Sequence, residues 1–196
     1  MVSPRNKKEL INAIRHGAVG IIPTDTVYGI VASAKHSEAV ERIYELKGRD
    51  SNKPFVILIS SLHDLRLFRV PLSQTAHNIL SKIWPAEISV ILPCKQKRFY
   101  YLHRGHKSLA FRMPHNHKLL ELLKKTGPMA SSSANLSGQP ASKNIAQAKE
   151  YFARQVDFYV SGGELDNPPS TLVEIRGKKI FVKRQGSVKI DKAIAP

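Results

Sequence analysis

The sequence predicts an α/β fold: a single domain over residues 1–196, with a twisted, open sheet of mixed parallel and antiparallel strands and flanking helices. Three observations lead to this prediction. Short apolar runs alternate with stretches of helical periodicity over most of the 196 residues. Residues 55–59 are continuously apolar, as in a strand that is buried on both faces of a sheet. Two more strand-like runs close the chain, which favours a mixed sheet.

Helix signals and apolar runs alternate in the first half of the chain. Ser3 followed by Pro4 has the pattern of an N-cap with proline at the first helical position, and Gly17 is predicted to end that helix. Ser37 is predicted to cap a second helix, which ends at Lys47. The other elements predicted here are strands at 18–22, 55–59 and 88–92, and helices that open at Ser61 and Ser73.

The second half continues the alternation and then changes to strands. A strand at 108–113 precedes a helix at 119–125, which Gly127 is predicted to end. A short strand at 128–131 leads into a serine-rich loop, and a helix at 144–152 and a strand at 156–160 follow. The chain closes with strands at 171–175 and 179–183, joined by a turn at Gly177 and Lys178.

The charge of the chain indicates a polyanionic partner. Lysine and arginine number 31 against 15 aspartate and glutamate residues, which gives a formal net charge of +16. Such an excess most often accompanies nucleic-acid binding, although a generally basic proteome would also produce it. The excess is strongest between Lys95 and Lys125, where nine cations face only Glu121 and where Tyr100 and Tyr101 lie among the cations. This segment is either a nucleic-acid surface or a solvated loop.

Several functional classes are disfavoured by the composition. The single cysteine, Cys94, excludes an internal disulfide and a cysteine-based zinc site. His103 with His106, and His115 with His117, have spacings that resemble metal ligands. They lie among lysine and arginine, so they are interpreted as solvated or RNA-facing, and no metal site is predicted. The N-terminus is polar and no apolar run approaches the length of a membrane span, so a soluble, cytoplasmic protein with no membrane contact is expected.

Cations flank the predicted strand at 55–59. Lys47, Gly48 and Arg49 follow the second helix, and Lys53 precedes the strand. Loops at strand ends are where open α/β sheets bind ligands, so these cations predict an anion site. The alternative is that they only stabilise the C-terminal end of the helix dipole.

Two further segments favour an anionic ligand. Arg112 lies in an apolar strand, where a guanidinium needs a carboxylate or phosphate, or else an internal ion-pair partner. The loop at 131–142 carries five serines, whose hydroxyl and backbone N–H groups would suit a phosphate or ribose, although such loops are often only turns. No P-loop and no nucleophile elbow is present.

Taken together, these segments resemble the YrdC/Sua5 family of threonylcarbamoyl-AMP synthases. The matching stretches occur in the family's order over about residues 7–190. At this length the chain resembles the short bacterial form, without the extra C-terminal domain of the longer form. Ala86, Glu87 and Val31 depart from the family's pattern in a turn and a pocket wall. The matching stretches are 23–29, 47–49 with 53–54, 84–85, 112–114, 133–138, 169–171 and 184–186.

The resemblance implies an activity, substrates and site residues. L-threonine, bicarbonate and ATP would give threonylcarbamoyl-adenylate and diphosphate, and partner proteins would transfer the threonylcarbamoyl group to an adenosine beside the tRNA anticodon. Mg²⁺ would be bound mainly through substrate phosphates. The basic surface makes direct tRNA contact plausible. Lys47 and Arg49 are implied as catalytic. The implied ATP-binding residues are Lys47, Arg49, Lys53, Ser108, Ser133, Asn135 and Arg184, and the implied threonine-binding residues are Thr26, Arg112, Ser131 and Ser170.

The chemistry is consistent with this set of residues. A carbamate formed from threonine and bicarbonate is already an oxygen nucleophile, so the site needs in-line placement and positive charge more than a strong base. Two alternatives remain at this stage. One is a non-catalytic RNA-binding or ribosome-maturation factor of the same fold. The other is a carbamoyl-transfer module like that of hydrogenase maturation proteins, which the single cysteine disfavours.

Overall fold

A mixed sheet runs through the structure, which is a computed structural model that describes residues 6–190. Its strand order is β7-β1-β2-β6-β3-β5-β4-β8-β9. The parallel pairs are β1 with β7, β3 with β5 and β4 with β8, and the remaining pairs are antiparallel. The predicted mixed α/β fold is confirmed. The strands are β1 Gly20–Pro23, β2 Tyr28–Ser33, β3 Val56–Leu58, β4 Ile88–Pro93, β5 Ser108–Arg112, β6 Met129–Ser133, β7 Phe158–Tyr159, β8 Thr171–Arg176 and β9 Lys179–Arg184.

The helices lie on both faces of this sheet. 3-10 turns at Leu62–Phe68 and Lys97–Phe99 accompany them, and none of the helices in residues 6–190 is long and apolar enough to cross a bilayer. The α-helices are α1 Lys7–Arg15, α2 Ser37–Lys47, α3 Gln74–Ile83, α4 Tyr100–His103, α5 His117–Thr126 and α6 Ile145–Phe152.

Some predicted boundaries differ from those observed. Helix α1 begins at Lys7, because the side chain of Asn6 caps it by accepting two backbone N–H groups. The predicted start at Ser3 lies outside the described residues. The N-cap of α2 is His36, so the prediction of Ser37 was wrong by one residue. Strand β2 and helix α4 were not predicted, since Tyr28–Ser33 follows a polar turn and Tyr100–His103 is short.

One face of the sheet carries the main core. Side chains alternate between the faces along each strand, so Ile30, Ile57, Phe111 and Val173 point to the same side. Helices α2, α3 and α6 contribute apolar residues to the same cluster. We call this side the core face.

The opposite face is covered by helices only in part. Ile22, Val31 and Leu58 lie on it and pack against α1 and α5. Further along the same face the side chains become small or polar, as at Gly29, Ser131 and Ala110. We call this side the cavity face, because the small residues leave a depression that the helices do not fill.

Candidate active site

A cavity of about 250 Å³ lies on the cavity face over β2, β3, β5, β6 and β8. Its walls bring together seven of the eleven predicted site residues, from segments far apart in sequence. Lys47, Lys53, Ser108 and Asn135 are not among its lining residues. The seven are Thr26, Arg49, Arg112, Ser131, Ser133, Ser170 and Arg184.

The floor of the cavity depends on a small residue at position 29. A Cβ atom at Gly29 would lie 3.0 Å from the Oγ of Ser131 and 3.2 Å from the Cγ2 of Thr24. A larger residue would push these hydroxyl side chains apart. Glycine at the second position of β2 is therefore explained by the approach of the Ser131 and Thr24 side chains to the strand.

Arg112 forms the deepest cationic group of the site. Its side chain is buried, and its Nη1 donates to the Oγ1 of Thr26 at 3.3 Å. Its Nη2 lies 3.3 Å from the Oδ1 of Asp25, at ion-pair distance but outside hydrogen-bond geometry, and its Nε has no hydrogen-bond partner in the described part of the chain. Burial lowers the pKa of Arg112, and the negative charge of Asp25 opposes this effect. Both interpretations of Arg112 therefore hold, since it has an internal ion-pair partner and also lines the cavity.

Asp25 is the residue of the site that sequence reasoning missed. Its carboxylate is buried and accepts from the backbone N–H of His115 at 3.1 Å. Burial raises its pKa, while Arg112 lowers it. The available signal was its position inside the motif at 23–29, one residue before Thr26.

Another wall of the cavity is formed where residues 169–171 contact residues 184–186. The Oγ of Ser170 lies 2.9 Å from that of Ser89, and the Nη2 of Arg184 donates to the Ser170 carbonyl at 3.0 Å. The backbone N–H of Gly186 donates to the Oγ1 of Thr171 at 2.9 Å. A Cβ on Gly186 would lie 2.1 Å from the carbonyl oxygen of Pro169, so only glycine allows this approach. The strand β9 is thereby fixed so that Arg184 lies beside Ser170.

Arg49 provides the cation at the part of the cavity lined by Pro54 and Phe55. Its Nε donates to the carbonyl of Lys53 at 3.0 Å, and its guanidinium carbon lies 5.5 Å from the centre of the Phe55 ring. Tyr44 stacks on that ring, with 4.1 Å between the ring centres. The remaining N–H groups of Arg49 have no partner among residues 6–190. They are available to an anionic ligand.

Lys47 and Asn135 are predicted to hold ATP, but their side chains are bonded to backbone carbonyls of the protein and are not among the cavity-lining residues. The Nζ of Lys47 donates to the carbonyls of Ser133 and Asn135, at 2.6 and 2.5 Å. The Nδ2 of Asn135 donates to the carbonyls of Leu136 and Gln139, both at 2.8 Å. Both side chains are buried and hold the loop that follows β6. Their geometry supports the cavity wall from behind.

Two predicted site residues lie at the edge of the site. Lys53 is exposed, and its backbone carbonyl is what contacts Arg49. Ser108 begins β5 two and four residues before the cavity-lining Ala110 and Arg112, so it is on the same face at the outer end of the strand. Direct contacts of these two side chains with ATP remain predictions.

The environment of Lys47 predicts a pH dependence of stability. Burial lowers its pKa to about 7 from an ordinary value of 10.5, and the charge of Arg49 adds to this. Between pH 7 and 9 the unfolded chain binds the proton more tightly, so the free energy of unfolding should rise with pH. The contribution is at most about 1.4 kcal/mol per pH unit. Urea unfolding of wild type and Lys47→Met at several pH values measures it. Parallel pH profiles would contradict the shift.

Residues 95–107, the first part of the cationic stretch noted at 95–125, are called the basic segment here, and they are not solvated throughout. His103 is buried, accepts from the N–H of Gly105 and lies near the Gln96 carbonyl, so its interpretation as a solvated or RNA-facing side chain was wrong. Arg104 is bound to Glu41 at 2.6 Å and lies over the ring of Tyr44. These two residues are structural, because the segment packs against α2.

Comparison with known proteins gives consistent matches. A family model named for Sua5, YciO and YrdC, with the description "Telomere recombination", matches residues 12–186. A putative threonylcarbamoyl-AMP synthase of Mycobacterium tuberculosis is 32% identical over 183 residues, which are 93% of this chain and 84% of that relative. The threonylcarbamoyl-AMP synthase of Bacillus subtilis is 35% identical over 151 residues, which are 76% of this chain and 42% of that relative.

A similar solved structure is the crystal structure of P. abyssi Sua5 complexed with L-threonine. It superposes with a TM-score of 0.84 and 29% identity, covering 92% of this chain and 55% of that one. This chain therefore spans about half the length of that Sua5 protein. The matched residues 12–186 include all the residues predicted for the site, from Thr26 to Arg184. This chain belongs to the Sua5/YciO/YrdC family.

Proposed function

We propose that this chain is a threonylcarbamoyl-AMP synthase, which forms threonylcarbamoyl-adenylate and diphosphate from L-threonine, bicarbonate and ATP for tRNA modification. The observation that carries the proposal is a single cavity with three arginines and several hydroxyl side chains around it. The relatives named for this reaction, one of them 32% identical over 93% of this chain, support it.

The geometry suggests how the substrates divide the cavity. The buried Arg112 suits the carboxylate of threonine, because a guanidinium binds a carboxylate through two parallel hydrogen bonds. Thr26 and Ser170 lie beside the same cavity, where the hydroxyl of threonine would find partners. Arg49 and Arg184 would face the phosphates, together with Ser133 and the loop that Lys47 and Asn135 hold.

The reaction itself then needs placement and charge. The carbamate oxygen attacks the α-phosphorus of ATP, a new P–O bond forms, and the bond to the β-phosphate oxygen breaks to release diphosphate. Since the carbamate is already anionic, no group must remove a proton in this step. Cations fixed around the phosphates stabilise the charge that develops on them.

Mg²⁺ would enter as part of the ATP substrate. No group of three or more histidine, cysteine, aspartate or glutamate side chains converges within residues 6–190 in a way that could hold a metal. The carboxylate of Asp25, which lies next to the cavity-lining Thr26, is paired with Arg112. The donors present therefore favour a metal that is bound mainly through phosphate oxygens.

One assay tests the proposed function. Diphosphate release from ATP is measured with and without threonine and bicarbonate. Release that requires both is expected. Release that requires neither substrate would show a different ATP-cleaving activity and contradict the proposed function. No release, together with RNA binding, would favour the non-catalytic RNA-binding factor. Carbamoyl phosphate in place of bicarbonate tests the carbamoyl-transfer alternative.

We also propose that tRNA contacts the basic segment at 95–107. Lys95, Lys97 and Lys107 are exposed, and Tyr100 exposes 60% of its surface. The segment adjoins the loop of Arg49, since the Nε2 of His106 lies 2.7 Å from the Asn52 carbonyl. Exposed cations suit phosphates, and an exposed ring suits an unpaired base. Threonylcarbamoyl-transferase partner proteins would use the product, and the cytoplasm is the expected location.

Replacing the three exposed lysines with glutamine should weaken tRNA binding. Each lost phosphate contact should lower the slope of affinity against salt by about 0.7–0.9 on logarithmic axes. Arg104 is left unchanged because it packs against α2. In the control variant, glutamine replaces Lys8, Lys178 and Lys179, which are also exposed. This variant loses the same amount of charge at other places on the surface. Equal salt slopes in the two variants would show that tRNA does not dock on this segment.

A further inference from the structure

Arg112 and Asp25 form a buried pair of opposite charges at the wall of the proposed substrate cavity. Their side chains are only 7% and 1% exposed. Arg112 and its neighbours Thr24, Thr26 and Val27 line the cavity, whereas Asp25 does not. The cavity is therefore bordered by Arg112 and not by the carboxylate that is paired with it.

The contact between the two groups is loose. Their nearest atoms, Nη2 and Oδ1, are 3.3 Å apart without hydrogen-bond geometry, and both the Nε of Arg112 and the Oδ1 of Asp25 lack a hydrogen-bond partner within the described ranges. Well-formed pairs in the same molecule are shorter, such as Arg42 with Asp157 at 2.6 Å. The described protein groups thus use the hydrogen-bonding capacity of Arg112 only in part.

A buried guanidinium has two requirements that one loose partner meets only in part. Its charge must be balanced, because an uncompensated buried charge strongly destabilises the folded state. Its N–H groups must also be paired. Asp25 meets most of the first requirement, with a smaller contribution from the negative charge of Glu87. A second carboxylate, arriving from the cavity, would meet the second, but the negative charge already present at Asp25 would oppose it.

We propose that Asp25 is a positioning residue that balances the charge of Arg112 while the cavity is empty and competes with the carboxylate of threonine for this guanidinium. The inference rests on the proposed function, because it takes threonine as the ligand of Arg112. Asp25 then limits the affinity for threonine and at the same time keeps the empty protein folded.

The proposal is tested by comparing the threonine affinity of the Asp25→Asn variant with that of wild type. Asparagine keeps the shape and can still accept the backbone N–H of His115, but it removes the charge. The empty variant should melt at a lower temperature than wild type. Threonine should bind about tenfold more tightly by calorimetry and raise the melting temperature by more than in wild type. Threoninol, which has no carboxylate, should show no such gain.

A matched control separates this role from a purely structural one. Asp157 also accepts one backbone N–H, from Val19, and pairs with one arginine, but it lies away from the cavity. Asp157→Asn should lower the melting temperature and leave the threonine affinity unchanged. If Asp25→Asn behaves in the same way, the proposal is wrong. If wild type itself does not bind threonine, the proposed function fails instead.

A second variant covers the case in which Asp25→Asn does not fold. The double variant Asp25→Asn/Arg112→Met removes both charges, and replacing both partners of a buried pair is often tolerated. A double variant that folds although Asp25→Asn does not supports the pairing of these two charges. A double variant that also fails to fold opposes it, because charge balance would then not be the function of Asp25.

Discussion

Arg49→Ala should lower the rate of threonine-dependent diphosphate release by about 10²–10³-fold, since loss of one fixed charge at the reacting phosphates has an effect of this size. The fold should survive the change. Arg49 uses only its Nε and the face of the Phe55 ring for packing, and the loss of such contacts costs about 1 kcal/mol or less. The measurements are diphosphate release at saturating substrates and a thermal melt.

Arg176→Ala is the matched control for this experiment. Arg176 also lies over an aromatic ring, 5.3 Å from the centre of Phe181, and it also makes side-chain hydrogen bonds, but it is outside the cavity. Turnover in this variant should stay within about twofold of wild type. Near-normal turnover in Arg49→Ala would mean that Arg49 does not face the reacting phosphates. Lys47→Ala is a poorer test, because Lys47 also holds the loop after β6.

Arg112→Lys should raise the KM for threonine by about 10–100-fold and leave the KM for ATP within about threefold. Lysine keeps the positive charge opposite Asp25, so the fold is retained. It loses the planar pair of N–H groups that a carboxylate requires. Steady-state kinetics with each substrate varied in turn, at saturation of the others, measure both constants.

For Arg184→Lys we expect the larger change in the KM for ATP, the reverse of the result expected for Arg112→Lys. Arg184 is on the wall with Ser170 and is predicted to hold ATP, so its replacement should raise the KM for ATP more than that for threonine. A reversed pattern in the two variants would mean that the substrates occupy the cavity in the opposite orientation. Equal effects on both constants would indicate a general distortion of the cavity.

Much of the fold could be predicted from local patterns. The continuous apolar run at 55–59 and the helix-opening Ser73 were sufficient to place β3 and α3. Strand β2 was not predicted, although all six of its residues are buried. Tyr28 and Gly29 were instead interpreted as part of a polar ligand-binding motif. Residues of that motif form part of a strand and also line the cavity.

The site could be predicted only as a set of segments. Sequence motifs correctly singled out Arg49, Arg112 and Arg184 as residues that the fold brings to one cavity. They could not show that the Nζ of Lys47 is bound to the carbonyls of Ser133 and Asn135, because the direction of a side chain at a helix end depends on the loop packed against it. Nor could they show Asp25 paired with Arg112, since that contact joins residues 87 positions apart and depends on the sheet.

The cavity joins Thr24, near the start of the chain, to Arg184, near its end. During synthesis a ribosome-bound chain therefore has no complete substrate site until the last hairpin has emerged and β8 has paired with β4. Substrates cannot assist the early stages of folding, and they stabilise only chains in which the whole sheet has assembled. Prematurely terminated chains should consequently gain no protection from ATP or threonine, which would leave them open to removal by cellular proteases while finished chains persist.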